Sequence, residues 1–143
     1  WASIAADPEG DHRPRTELPE FLSKLKQTVT ELARVGVQPV LMTLPPIDGA
    51  RYLDYICRGG LSRDSIMRWL GDVGCIYRYQ ELYSDTVASF AMREGLPLID
   101  VRRRFLPQRD LPELISADGI HLTMPGYRQL FDTLAQWVVP QLA

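Results

Sequence analysis

Two short apolar runs, Val37–Leu44 (VQPVLMTL) and Leu96–Val101 (LPLIDV), each follow directly on an amphipathic helical pattern. This alternation constrains the fold more than any other feature of the chain. In the first pattern Leu18, Leu22, Leu25, Val29 and Leu32 recur at helical spacing, with Thr16 placed to cap the start and Gly36 placed to stop the end. In the second, Ile76, Tyr79, Tyr83, Val87 and Phe90 share one helical face and Gly95 follows as the C-terminal stop. Pro45 and Pro46 close the first apolar run, because proline cannot donate to a β-ladder. Strands of this kind, set between helices at short spacing, predict an α/β fold with a parallel sheet covered by helices on both faces.

With 143 residues the chain is expected to form a single domain over residues 1–143. Residues 1–15, rich in Asp, Pro, Arg and Gly, read as a loop or a disordered lead-in. The stretch 48–74 is punctuated by Gly59, Gly60, Gly71 and Gly74 and reads as an insertion or lid made of short helical pieces, with Ser62 capping one of them. Tyr52, Tyr55, Met67 and Trp69 either line an acyl pocket or form the insertion's own small core. A final helix starts at Thr123 and carries Tyr127, Leu130, Leu134 and Trp137 as one apolar stripe. Two short strands cannot cover three long helices. The sheet is therefore expected to be completed by strands preceding Trp1, by a second chain, or by exchange between two copies of this one.

Composition removes several classes of function. Sixteen basic against 18 acidic side chains give a net charge of −2, so no nucleic-acid partner is expected. No apolar run is long enough for a membrane-spanning helix. The chain has no Asn and only two His, His12 and His121, while Cys57 and Cys75 stand far from either. That inventory argues against a metal site, and no cofactor is expected. The two cysteines read as free thiols, and the compartment is left open. Arg102–Arg104 read as a solvated edge and His12 as exposed.

The residues with chemistry to offer lie in Asp118-Gly119-Ile120-His121, a glycine-containing turn just ahead of the last helix. A carboxylate three residues before a histidine can bend back onto Nδ1, fix the tautomer and leave Nε2 to accept a proton. The alternative is a structural turn in which Asp118 opens the bend and His121 packs or caps. Asp100, at the end of the second apolar run, is the rival orienter, or else a turn cap.

The stretch Ala117–Tyr127 (ADGIHLTMPGY) resembles the last conserved block of the SGNH hydrolases, also called GDSL esterases and lipases. VQPVLMTLPPID (Val37–Asp48) is similar to the strand and proline loop of that family, and LPLIDVRRRFL (Leu96–Leu106) to the strand that follows. The resemblance implies the C-terminal part of a three-layer, flavodoxin-like α/β/α fold, with the N-terminal strands missing from this chain. It also implies serine-ester hydrolysis through an acyl-enzyme, with His121 as general base and Asp118 orienting it. Pro45, Pro46 and Ile47 would lie at the top of the sheet and contact a small-molecule ester substrate. The family's Gly-Asp-Ser nucleophile motif and its oxyanion-hole Gly and Asn blocks do not occur here. The nucleophile is accordingly expected from a part outside this chain, which alone would be inactive. An acyltransferase of the same architecture and a non-catalytic α/β interaction module remain as alternatives.

Overall fold

The computed structural model describes residues 1–141. In chain order it contains α1 (Ala2–Ala6), α2 (Leu18–Arg34), β1 (Leu41–Met42), α3 (Gly49–Cys57), α4 (Arg63–Leu70) and α5 (Gly74–Glu94). These are followed by β2 (Leu98–Ile99), α6 (Arg102–Phe105), α7 (Leu111–Leu114), α8 (Met124–Val138) and a closing 3₁₀ turn, Val139–Gln141. The architecture is mostly helical around a small parallel sheet, compatible with the α/β class. β1 pairs with β2 in parallel, with Leu41 opposite Leu98 and Met42 opposite Ile99. Among the described residues neither strand has a partner on its second edge.

The strands are shorter than the apolar runs that predict them. Pro39 and Pro97 each remove a ladder donor inside those runs. At the other end, Asp100 leaves the ladder to accept hydrogen bonds from the Thr43 hydroxyl at 3.0 Å and the Arg103 N–H at 3.2 Å. Asp100 is therefore a turn cap.

Helix α2 places the predicted stripe of Leu18, Leu22, Leu25, Val29 and Leu32 on its half-buried side. Its N-cap is Glu17 instead of Thr16, with no side-chain capping bond, and the Thr16 carbonyl accepts from the Tyr83 hydroxyl at 2.5 Å. Phe21 meets the Tyr83 ring edge-to-face at 5.1 Å, which seats α2 on α5. Helix α5 ends at Gly95 in the left-handed conformation, φ 64°, as its sequence predicts.

Two apolar clusters hold the chain together. One joins Ile99, Val101, Phe105, Leu114 and Leu122, with Leu130, Leu134 and Trp137 of α8 packed against them. The other joins Ile4, Leu53, Ile66 and Ile76, so α1, α3, α4 and the start of α5 form a core of their own. The inserted segment thus packs its Tyr52, Met67 and Trp69 around that core.

Three further expectations are corrected. The lead-in is not wholly loop, since Ala2–Ala6 are helical and Ile4 is buried; Trp1, Ile4 and Ala5 make a helical face too short to register as a period. His12 is half-buried, edge-on to Trp69 at 6.0 Å, with Nε2–H donating to the Asp7 carbonyl at 2.6 Å. Arg102 is not a solvated edge. It is buried, donates to the Leu44 carbonyl at 3.1 Å and Gln80 Oε1 at 2.8 Å, pairs with Glu81 and lies over the Tyr77 ring. One terminal nitrogen serves both neutral acceptors and the other faces the Glu81 carboxylate, while Nε has no hydrogen-bond partner among the described residues.

Candidate active site

The Asp118–His121 turn is built on a short antiparallel bridge between Ile115 and Leu122. The Ser116 N–H donates to the His121 carbonyl at 2.8 Å and the Gly119 N–H to the Ser116 carbonyl at 3.0 Å, which closes the bend. Gly119 has φ 80°, a region that suits glycine, and its Cα sits against the first turn of α3. Directly after the bridge, Thr123 caps α8 as predicted. Its hydroxyl oxygen accepts the Gly126 N–H at 3.3 Å and its proton goes to the Glu113 carbonyl at 2.8 Å. The turn is thereby fixed between α7 and α8.

Arg51 fastens it from the other side. One guanidinium nitrogen donates to the carbonyls of Pro112 at 2.7 Å and Ile115 at 2.8 Å, and Nε pairs with the Asp48 carboxylate at 3.2 Å. Asp48 caps α3 by accepting the Arg51 N–H at 3.0 Å, and its own N–H donates to the Gly119 carbonyl at 2.8 Å. The proline loop therefore runs directly into the turn.

Within the turn, Asp118 Oδ1 accepts the backbone N–H groups of Ile120 and His121, both at 3.0 Å, and the Ser116 hydroxyl. Oδ2 lies 2.5 Å from Nδ1 of His121. The Ser116 hydroxyl, the His121 ring and the His121 N–H together hold the Asp118 carboxyl well below the usual carboxylate range. An ionised carboxylate only accepts, so the proton in the Asp118–His121 bond belongs to Nδ1, and Nε2 of the neutral ring keeps its lone pair. The Asp118 side chain is 19% exposed and that of His121 69% exposed. The pair combines a sheltered orienting anion with an imidazole open to solvent.

The structure brings Asp118 and His121 together as the sequence predicts. Pro45 and Ile47 are half-buried and Pro46 is buried. The Pro45 carbonyl accepts from Gln80 at 2.6 Å, and Ile47 packs against the cluster around Leu53. Ser116, Arg51 and Ser84 escaped the sequence reading. The Ser116 hydroxyl serves Asp118, and Ser84 accepts the Leu44 N–H at 3.1 Å beneath the proline loop. A hydroxyl two residues before a turn aspartate was a usable signal for Ser116; nothing local marks the other two. Among the described residues no serine hydroxyl bonds to His121, and no cluster of three or more His, Cys, Asp or Glu is placed to hold a metal. Cys57 and Cys75 are free, half-buried thiols. Among the described residues no helix is long and apolar enough to cross a membrane.

No protein-family model matches the sequence, and no curated protein matches it either. Among solved structures, the lipase/acylhydrolase from Enterococcus faecalis is similar, with a TM-score of 0.60 and 19% identity. The match covers 96% of this chain and 58% of that one, so this chain spans little more than half the length of the structure it resembles. The likeness is one of fold: the chain has an α/β architecture similar to that of a lipase/acylhydrolase.

Proposed function

We propose that this chain contributes the base-and-orienter half of a serine ester hydrolase of the SGNH type. The observation that supports this most is the fourfold anchoring of Asp118, one contact being the 2.5 Å approach to Nδ1 of His121, while the ring stays open to solvent. A merely structural turn has no need to hold an exposed imidazole by a fixed anion.

In this reading a serine outside the 143 residues attacks the ester carbonyl as Nε2 of His121 takes its proton, and the imidazolium returns that proton to the departing alcohol. Water then attacks the acyl-enzyme with the same base, releasing the acid and the free serine. Asp118 stays ionised throughout and stabilises the imidazolium. The oxyanion donors also come from outside the chain; in the proline loop that runs into the turn, half-buried Pro45 and Ile47 are the residues open to substrate contact, whereas Pro46 is fully buried and supports the loop. This is the C-terminal part of a three-layer α/β/α domain, with the segment 48–74 flanking the site. Small-molecule esters are the substrate class.

The test is hydrolysis of 4-nitrophenyl acetate by the protein produced from its natural reading frame. His121→Ala is expected to lower kcat by about a thousandfold, and the 143-residue chain alone to show no turnover. A His121→Ala variant that keeps near-normal activity overturns the proposal.

A further inference from the structure

A cavity of about 580 Å³ opens between α1, α3, α4, the start of α5 and the loop that precedes α2. Its aromatic walls are Trp1, Tyr52, Trp69 and Tyr79, and Arg13 and Arg15 also line it. The walls are braced. The Trp1 indole N–H donates to the Tyr52 hydroxyl at 3.0 Å, and the two rings meet edge-to-face at 6.0 Å. Trp69 is supported from outside by His12.

The charge in this cavity is one-sided. Arg13 is engaged by Asp11 at 3.3 Å and Glu17 at 3.5 Å. Arg15 is exposed and forms neither an ion pair nor a side-chain hydrogen bond among the described residues. No Asp or Glu lines the space. A volume of this size lies within the range of small-molecule pockets. Aromatic faces reward a flat or ring-bearing apolar body, and an unengaged guanidinium rewards a carboxylate. A neutral ligand would leave Arg15 without a partner, and a cation would be repelled.

We propose that this cavity is a binding site for a hydrophobic, ring-bearing monocarboxylate, with the ring between the tryptophans and tyrosines and the carboxylate on Arg15. None of Ser116, Asp118 and His121 lines it, so the site stands or falls independently of the ester chemistry.

The test titrates the protein produced from its natural reading frame with 2-naphthoate, by calorimetry and by the indole N–H signals of Trp1, Trp69 and Trp137 in ¹H–¹⁵N NMR. Saturable binding should move the Trp1 and Trp69 signals and leave that of Trp137, which packs on the other cluster. The neutral analogue 2-naphthylmethanol should bind about tenfold more weakly, the equivalent of one charge-assisted contact. Arg15→Gln should bring the acid down to the level of the alcohol; because Arg15 is exposed, the rest of the spectrum should stay unchanged. Absence of binding, equal affinity for acid and alcohol, a shift at Trp137 alone, or an Arg15→Gln variant that binds the acid normally would each overturn the proposal.

Discussion

The carbonyl of Gly119 accepts the N–H of Asp48 at 2.8 Å, so the turn that carries His121 is tied directly to the start of α3. The approach is close enough to exclude a side chain. A Cβ on Gly119 would meet the Asp48 carbonyl oxygen at 2.5 Å and crowd the Tyr52 nitrogen, both of them backbone atoms. Combined with φ 80°, this makes Gly119→Ala a strained and overpacked variant. It is expected to lose about 3 kcal/mol of stability in urea unfolding, and a loss under 1 kcal/mol would show that the turn and α3 separate easily.

Arg51 should be nearly as sensitive, although it lies on the inserted segment. Arg51→Ala removes two hydrogen bonds to carbonyls and an ion pair to Asp48, at an expected cost of about 2 kcal/mol in the unfolding free energy measured with urea. Arg51→Lys should recover little of this. A single ammonium on a flexible stem does not reproduce the fork that spans Pro112, Ile115 and Asp48.

The environment of Asp118 also predicts how stability responds to acid. Its carboxyl is held below the ordinary Asp value, so the folded state binds that proton less readily than the unfolded chain does. The resulting stabilisation is fully present above about pH 4, the unfolded range, and fades as pH falls through the lower folded value. Urea unfolding of wild type and Asp118→Asn at a series of pH values should show a wild-type advantage near neutrality that shrinks toward about pH 2. An advantage independent of pH would contradict the assigned cause.

Those parts of the fold written in local periodicity were legible from the sequence. The stripe of α2, the Gly95 stop of α5, the Thr123 cap of α8 and the parallel pairing of the two apolar runs all follow from side-chain spacing and backbone chemistry. The Asp118–His121 contact was legible for the same reason, since three residues in a glycine turn suffice to make it. What escaped depends on contacts between distant segments. Arg102 looks like the first of three surface charges until the Leu44 carbonyl, Gln80 and Glu81 converge on it from elsewhere in the chain. Ser84 lies within α5 beside its apolar stripe and gives no local sign that its hydroxyl receives the Leu44 N–H. Apolar composition alone overstates the lengths of β1 and β2, because Pro39 and Pro97 lack ladder donors.

General-base chemistry at His121 requires the proton of the neutral imidazole on Nδ1, and ¹⁵N NMR of the ring reads its position directly. Wild type is predicted to show a protonated Nδ1 and a bare Nε2, with the preference lost in Asp118→Asn. A wild-type ring protonated mainly at Nε2, or one whose tautomers are indifferent to Asp118, would contradict it.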